Sequence, residues 1–460
     1  MPNDGNETFD MEHLLELAKE KKYRLLKEEL VELNEVDIAS FIEELDSERT
    51  VIVFRMLPKA LATEVFAELP VDKQSHIINS ITDKELSEIV EELYVDDAVD
   101  LVEELPATVV RRVLQNTKPE TRKLINQFLN YPENTAGSIM TAEYIGLKKT
   151  MTVEQCFAYI RHHAVNSETI YTCYVMDEKR RLDGVVTVKD LLLQPYERLV
   201  GDIMDTHVIK AQTTDDQEQV ADTMNKYGLL SMPVVDSEDR LVGIITVDDV
   251  MEVMEEEATE DFEKMAAMLP SDKPYLKAGI FATWRARLPW LMILMLSATF
   301  TGMILNHYES ALAACLVLNS YIPMLSGTGG NSGTQASVAV IRALSLDEVD
   351  FSDILKVLWK ELRVSLLCGS CLAAANFVKM QLVDRLLLGN AAVTPVVCLV
   401  VCLTIMFVVV FAKCVGCSLP LLAEKIGLDP AVMASPFITT IVDATSLLIY
   451  FRFASWLLGI

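Results

Sequence analysis

The chain has 460 residues, which at about 150 residues per domain predicts about three structural units. It carries 67 acidic and 40 basic side chains, a formal net charge of −27, yet 51% of its residues are apolar. Residues 1–272 have a net charge of −30, whereas residues 273–460 are apolar and nearly uncharged, with a net charge of +3. The apolar part excludes a wholly soluble enzyme. The acidic part argues against nucleic acid as a partner, because phosphate binding needs a basic surface.

The N-terminal segment, MPNDGNETFD, is polar and acidic. It is not followed by the basic segment and apolar stretch of a cleavable signal peptide. We therefore expect the acidic part of the chain to remain in the cytosol.

Residues 51–118 contain a helical repeat with a period of 12 residues. Its grid points are Pro58, Pro70, Thr82, Tyr94 and Pro106. Between them, apolar residues recur three and four apart, and a proline or capping residue is expected to begin or end each short helix. Such helices stack into a superhelix, a module that more often binds or transmits than catalyses.

Residues 136–254 contain an internal duplication, in which TCYVMDEKRRLDGVVTVKDLL is repeated as SMPVVDSEDRLVGIITVDDVM. Gly184, Thr187 and Asp190 recur 59 residues later as Gly243, Thr246 and Asp249. The pattern resembles a tandem pair of CBS domains, which implies adenine-nucleotide binding or regulation. The candidate nucleotide-binding residues, with ATP as the candidate ligand, are Thr187, Asp190, Thr246 and Asp249.

Acidic side chains form two clusters, the second of them on a predicted helix that runs straight to the first membrane span. The clusters comprise Asp96, Asp97, Asp100, Glu103 and Glu104, and then Asp248, Asp249, Glu252, Glu255, Glu256, Glu257, Glu260, Asp261 and Glu263. Like charges three or four residues apart destabilise a helix slightly unless something neutralises them. Either the clusters are solvated faces, or divalent cations bridge them and act on the connecting helix.

Charge-free apolar runs predict five membrane spans, since a spanning helix needs about 20 mostly apolar residues. The spans lie between residues 287 and 309, 309 and 342, 363 and 383, 385 and 413, and 429 and 452. With the N-terminus inside, the cytosolic loops hold six Lys or Arg residues and the outer loops two. The positive-inside rule therefore places the C-terminus outside the cell.

Asp443 lies about 14 residues into the last predicted span and therefore near mid-membrane. Insertion scales assign about 2.5–3.5 kcal/mol to an Asp there, and such residues usually face a water-filled path or a partner. The alternative is a protonated carboxyl capped by a neighbouring hydroxyl, supplied by Thr439, Thr440, Thr445 or Ser446.

The second predicted span is too long for one crossing and contains GTGGNSGTQAS at residues 327–337. This composition predicts irregular backbone, which is tolerated at membrane depth only when buried in protein or lining a cavity. The freed carbonyls and Asn331 Oδ1 would then be hard oxygen ligands. Helix packing is a compatible alternative, because Gly329 and Gly333 are four residues apart.

One carboxylate with amide and carbonyl oxygens suits magnesium, calcium or manganese. A single carboxylate per chain fits Mg²⁺ best, because Mg²⁺ dehydrates reluctantly and keeps several waters. A pore shared by two subunits would double this acidic ligand. Cys414 and Cys417 form a CxxC pair, but no second pair or His cluster completes a zinc site.

Three segments closely resemble the MgtE family of magnesium channels and transporters: YPENTAGSIMT at 131–141, PMLSGTGGNSGTQASVAVIRAL at 323–344 and PFITTIVDATSLLIYF at 436–451. The resemblance implies a multidomain membrane protein in the cell (inner) membrane. Its parts are an all-α superhelical N domain (1–130), an α/β tandem CBS pair (131–254), an acidic connecting helix and linker (255–283) and a five-span α-helical transmembrane domain (284–460). It also implies a homodimer with the ion path at the subunit interface, closed when cytosolic Mg²⁺ holds the N and CBS domains together.

The resemblance assigns roles to individual residues. The family's pore positions match Asp443, Asn331, Gly329, Gly330 and the carbonyl of Thr439. Its regulatory acids match Asp96, Asp100, Asp249, Glu252, Glu257, Glu260, Asp261 and Asp429. Gly228 stands where the family is expected to have an Asp, which leaves the number of regulatory ions open.

The sequence thus predicts a magnesium-selective channel that admits Mg²⁺ and is closed by cytosolic Mg²⁺, with the lipid bilayer and divalent cations as partners. A secondary exchanger that couples Mg²⁺ to Na⁺ or H⁺ is the nearer alternative. An intramembrane aspartyl protease is the enzyme alternative; it needs two close carboxylates, whereas the spans supply one mid-membrane Asp per chain.

Overall fold

The architecture comes from a computed structural model, which describes residues 10–271, 275–276, 278–346, 348–433 and 435–459. The chain forms two compact units, one ending at Met254 and the other beginning at Glu255. The first unit holds the helical repeat and the duplicated α/β segment. The second holds the end of the connecting helix and the apolar helices.

Ten short helices open the first unit and follow one another every 12 residues. They are α1 (Met11–Lys19), α2 (Tyr23–Leu30), α3 (Glu35–Glu43), α4 (Ser47–Met56), α5 (Lys59–Ala67), α6 (Val71–Ser80), α7 (Asp83–Val90), α8 (Val95–Glu104), α9 (Ala107–Asn116) and α10 (Pro119–Phe128). Their N-cap residues are Asp10, Lys22, Asn34, Asp46, Pro58, Pro70, Thr82, Tyr94, Pro106 and Lys118. The predicted grid is confirmed, and it extends in both directions.

At some grid positions the start of the helix has a recognisable local cause, and two kinds of cause occur. Proline has its φ locked at the value that a helix start needs, as at Pro58, where φ is −57°. Thr82 instead accepts a hydrogen bond from the Glu85 N–H, and the Glu85 carboxylate accepts one from the Thr82 N–H at 2.7 Å. The sequence analysis missed the outer grid points, although Asp10 and Asp46 cap their helices by accepting hydrogen bonds from the backbone N–H groups of His13 and Arg49. Lys22 and Lys118 carry no such signal.

The apolar residues of the repeat share one hydrophobic core with the second half of the duplication. Phe41 and Phe66 of the repeat belong to the same buried cluster as Met232 and Ile245. The helical domain is therefore packed onto the α/β domain over a continuous apolar contact, and both lie in the same compact unit.

Each half of the duplication forms a three-stranded sheet with two helices. The first half contains β1 (Tyr144–Lys148), α11 (Val153–His163), β2 (Thr169–Met176), β3 (Leu182–Thr187) and α12 (Val188–Leu192). The second contains β4 (Ala211–Gln212), α13 (Gln217–Tyr227), β5 (Ser231–Val235), β6 (Leu241–Thr246) and α14 (Val247–Met265). In each sheet the first strand is parallel to the second, and the second pairs antiparallel with the third.

The two halves pack reciprocally through their motif glycines. A Cβ added to Gly243 would lie 2.8 Å from the Met140 sulfur, and one added to Gly184 would lie 3.0 Å from the Met204 sulfur. Only glycine permits these approaches without a shift of the neighbours, which explains why the duplicated motif begins with it.

Helix α14 continues from the second α/β half into the second unit. It ends at Met265, Ala267 has a φ of 54°, and the next helix begins at Ile280. A positive φ in a non-glycine residue is incompatible with a continuing right-handed helix. The prediction that the acidic helix runs straight to the first span is therefore wrong.

The second unit contains α15 (Ile280–His307), α16 (Glu309–Ala314), α17 (Ile322–Ser345), α18 (Ile354–Lys379), α19 (Pro395–Lys425) and α20 (Ser435–Leu458), with a π-helix at Met380–Leu387. In the described part of the chain, four stretches have the length and apolar composition of a span: Ile280–His307, Phe351–Leu387, Pro395–Lys425 and Pro430–Leu458. The sequence predicted five. The remaining helix, α17, has 24 residues and is about 36 Å long, but it is not among the four.

Helix α17 is unbroken through its glycine-rich segment, so the predicted irregular backbone with freed carbonyls is wrong. The packing alternative is confirmed. A Cβ added to Gly329 would lie 2.6 Å from Val408 on α19, and one added to Gly330 would lie 2.5 Å from Thr439 on α20. The glycines therefore let α17 pack closely against two helices at once.

The tightest approach is that of Gly416 on α19 to the Gly333 carbonyl of α17, which a Cβ on Gly416 would overlap. Because backbone cannot swing away, we expect Gly416→Val to destabilise the protein by about 1–3 kcal/mol or more. The measurement is the temperature at which the detergent-solubilised protein loses its monodisperse chromatographic peak. Gly302→Val, where nothing lies within 4 Å of the added Cβ, is the matched control, and equal heat stability of the two variants would contradict the packing.

Candidate ion-binding sites

Asp443 lies on α20, is half-buried, and hydrogen-bonds the side chain of Ser326 on α17. Three of the hydroxyls considered as caps donate to backbone carbonyls instead. Thr440 donates to the carbonyl of Pro436, Thr445 to that of Ile441, and Ser446 to the backbone carbonyl of Asp443. The hydroxyl partner of the carboxylate is thus supplied by another helix. No local sequence pattern indicated this, because the two residues are far apart in the chain.

The other candidate pore residues lie along the contact between α17 and α20. Thr439 is one turn before Asp443, and its methyl group occupies the space beside Gly330. Asn331 is exposed on α17, and in the described part of the chain no hydrogen bond joins it to Asp443. Its amide is therefore outside the packed interior of the chain and accessible to an ion or to a second subunit.

The candidate regulatory acids of the helical domain and of the α/β domain meet within the first unit. Burial raises the pKa of Asp97 to about 6, and Asp249 raises it further. Burial also raises the pKa of Asp100 to about 7, with contributions from Asp97 and Glu252. Asp96 on the same helix has its pKa raised by burial, Asp97 and Asp249. The structure therefore brings Asp96 near Asp249 and Asp100 near Glu252.

Two acids of this cluster were not identified from the sequence. Glu143 and Glu168 precede β1 and β2, and the Glu168 N–H donates to the Glu143 carbonyl at 2.8 Å. Burial raises the pKa of Glu168 to about 8, and Asp249 raises it further. Glu168 Oε2 is buried without a hydrogen-bond partner. A single acid before a strand is too weak a sequence signal to reveal such a position.

This acidic cluster has the charge to attract divalent cations but no preformed ligand cage. In the part of the chain that the structure describes, no three His, Cys, Asp or Glu side chains are arranged to hold a metal ion. Mg²⁺ retains several of its waters and needs few direct protein ligands. The oxygen-only donors therefore fit a hydrated Mg²⁺ better than an ion that must be fully coordinated by protein.

The raised pKa values predict how stability depends on pH and Mg²⁺. Between the ordinary Asp pKa of about 3.9 and the folded values of about 6 to 7, the folded state binds more protons than the unfolded state, so stability falls as pH rises through this window. In EDTA, the first unit of the full-length protein should melt several degrees lower at about pH 8 than at about pH 5.5. Added Mg²⁺ should raise the melting temperature at the higher pH and so remove most of this difference. Asp97→Asn should make the difference in melting temperature smaller. A melting temperature that rises with pH in EDTA would contradict the prediction.

A second acidic group lies within the second unit, where the connecting helix meets the segment before α20. Lys264 Nζ bonds Asp429 Oδ2 at 2.7 Å and also pairs with Glu260. Burial opposes the charge of Lys264, but these two hydrogen bonds outweigh it and raise its pKa. Burial raises the pKa of Asp261 to about 6, with Asp429 as the next cause. The structure gathers three of the four predicted acids of this region around Lys264: Glu260, Asp261 and Asp429. The sequence analysis did not identify Lys264.

The duplicated nucleotide-binding motifs have different surroundings. In each, the Asp carboxylate accepts a hydrogen bond of 2.5 Å from the Thr hydroxyl, Thr187 to Asp190 and Thr246 to Asp249. Asp190 is exposed, whereas Asp249 belongs to the acidic cluster. Because anionic phosphates are repelled by buried carboxylates, the Thr187 motif is the better candidate for a nucleotide.

Comparison with known families gives three matches along the chain. A family described as "MgtE intracellular N domain" matches residues 33–134, CBS domains match residues 136–195 and 200–256, and "Divalent cation transporter" matches residues 322–453. The order agrees with the architecture described above.

Curated proteins from two bacteria are similar over almost their full length. The magnesium transporter MgtE of Thermus thermophilus is 39% identical over 97% of this chain and 98% of its own. The protein of the same name from Bacillus subtilis is 31% identical over 98% of both chains. A solved structure of the cytosolic domain of the Mg²⁺ channel MgtE in complex with ATP is 38% identical, with a TM-score of 0.50, and covers 53% of this chain and 100% of that one.

Proposed function

This chain belongs to the MgtE family of divalent cation transporters, and from that premise we propose that it is a magnesium-selective channel, opened when cytosolic Mg²⁺ falls. Mg²⁺ transport and a multi-pass membrane location follow from the family. The observation that carries the finer proposal is Asp443, a half-buried carboxylate within a span, bonded to Ser326 of a glycine-packed neighbouring helix.

The pore chemistry follows from the carboxylate of Asp443, one in each chain. A hydrated Mg²⁺ needs negative charge and oxygen acceptors rather than a complete protein cage. We propose that two chains form a homodimer and bring two copies of Asp443 and of the exposed Asn331 to one path. Gly329, Gly330 and the carbonyl of Thr439 shape this path, in which the glycines allow the helices to approach closely.

The driving force is the membrane potential. With the N-terminus in the cytosol and the C-terminus outside, inward movement of Mg²⁺ through an inside-negative potential of about 100 mV releases about 4.6 kcal/mol, twice the value for a single charge. No coupled ion is required for uptake at this potential.

Gating follows from the two acidic groups. When cytosolic Mg²⁺ is plentiful, it neutralises the cluster of Asp96, Asp97, Asp100, Asp249 and Glu252 and the group of Glu257, Glu260, Asp261 and Asp429, and the pore is shut. When Mg²⁺ falls, uncompensated repulsion separates the charged elements. ATP, held at Thr187 and Asp190, would add a second cytosolic signal.

A flux experiment separates a channel from an exchanger. The full-length protein is reconstituted in liposomes with a Mg²⁺-sensitive dye inside, and a K⁺ diffusion potential is imposed with equal Na⁺ and pH on both sides. A channel gives influx that grows with the inside-negative potential and resolvable single-channel currents. Influx only in the presence of a Na⁺ or proton gradient would identify an exchanger instead.

A further inference from the structure

An ion pair between the exposed Lys379 and the buried Asp384 lies at the far end of α18. Lys379 Nζ contacts Asp384 Oδ2 at 2.9 Å, and Asp384 is 9% exposed. The two residues are five apart, a spacing that an α-helix places on different faces. They meet because Asp384 lies in the π-helix Met380–Leu387, in which hydrogen bonds join residues five apart. Such π-helical turns are rare and frequently occur at functional sites.

The carboxylate of Asp384 also accepts a hydrogen bond from the residue at the start of α17. The Tyr321 hydroxyl donates to Asp384 Oδ2 at 2.8 Å, and Lys379 Nζ lies 5.3 Å from the centre of the Tyr321 ring. Tyr321 is 4% exposed and is the N-cap residue of α17. The preceding turn is also tied to α20, because the Tyr450 hydroxyl donates to the Leu318 carbonyl at 2.9 Å.

Helix α17 connects this anchor to the candidate ion-binding carboxylate. Ser326, which bonds Asp443, lies five residues after Tyr321 and therefore about 7.5 Å further along the helix. A rotation or shift at Tyr321 is transmitted to Ser326, because Ser326 lies in the first turns of the continuous helix that Tyr321 caps.

Asp384 is a buried carboxylate with two partners, the exposed Lys379 and the buried Tyr321 hydroxyl. A buried charge is costly without its partners, so this carboxylate holds both of them in place. We propose that Asp384 is a positioning residue for Mg²⁺ transport, which with Lys379 fixes the Tyr321 end of α17 so that Ser326 meets Asp443 at the ion path. This inference rests on the proposed role of Asp443.

The test measures Mg²⁺ uptake by the full-length protein in liposomes as a function of external Mg²⁺, normalised to the amount of folded protein. We expect Tyr321→Phe and Asp384→Leu each to raise the half-saturating Mg²⁺ concentration about two- to tenfold, the equivalent of one hydrogen bond. Asp384→Asn, which keeps an acceptor for Tyr321, should have a smaller effect. Arg385→Met, which removes an exposed charge from the same π-helix, is the matched control and should leave the value unchanged.

A double variant separates positioning from general destabilisation. Because Tyr321 acts through Ser326, combining Tyr321→Phe with Ser326→Ala should raise the half-saturating concentration no further than Ser326→Ala alone. Should Asp384→Leu fail to fold, Tyr321→Phe, which keeps the buried ring, carries the test. Variants that lower only the yield of folded protein, with unchanged half-saturation, would overturn the inference. Normal Mg²⁺ uptake by Asp443→Asn would instead overturn the proposed function itself.

Discussion

Asp443→Asn is expected to reduce Mg²⁺ flux to the level of liposomes without protein, while the protein remains folded. The substitution keeps the size of the side chain and an oxygen that can accept the Ser326 hydrogen bond, but it removes the charge. At an effective dielectric constant of about 20, two opposite unit charges about 4 Å apart attract each other by about 4 kcal/mol. A divalent cation at the same distance from one carboxylate is attracted twice as strongly. Loss of even half this energy would lower ion occupancy more than about 100-fold.

The matched control is Thr445→Val on the same helix. Thr445 is two residues from Asp443, and its hydroxyl donates to the Ile441 carbonyl. This variant should transport Mg²⁺ like the wild type. Chromatographic profile and melting temperature of both variants establish that they are folded. Wild-type flux through Asp443→Asn would show that the ion does not depend on this carboxylate.

Combined neutralisation of Glu257, Glu260 and Asp261 is expected to keep the pore open at Mg²⁺ concentrations that close the wild type. These acids lie on the connecting helix, where Asp261 and Glu260 share the surroundings of Lys264 and Asp429. With these charges removed, Mg²⁺ loses three of the carboxylates that it would bridge, and with them much of its differential affinity for the shut state. The inhibitory Mg²⁺ concentration should rise about tenfold or more, as is typical of allosteric coupling.

The measurement is flux against Mg²⁺ on the cytosolic face of excised patches or oriented liposomes. A control variant neutralises three exposed acids elsewhere, Glu120, Glu154 and Glu197, and changes the net charge by the same amount. It should be inhibited like the wild type, which separates a local site from a general charge effect. Inhibition of both triple variants at the wild-type concentration would defeat the proposed sensing role of the connecting helix.

Features with a local periodicity were predicted well from the sequence. The 12-residue grid of the helical repeat, the duplicated α/β motif and the position of Asp443 within a span all depend on spacing along the chain. Spacing determines which residues cap or share a face of a helix. Predictions that treated glycine as a helix breaker failed at Gly329 and Gly330, because close helix packing in the membrane compensates for the weak helix propensity of glycine.

The sequence by itself determined the division into an acidic part and an apolar part, the domain types, the family and the place of Asp443 in an apolar stretch. Only the tertiary structure decided which groups meet. It brought Ser326 to Asp443, Glu143 and Glu168 to the acidic cluster, Lys264 to Asp429, and Tyr321 to Asp384. Each pair joins residues distant in sequence, and their proximity depends on packing and on a π-helical turn, for which composition and periodicity contain no signal.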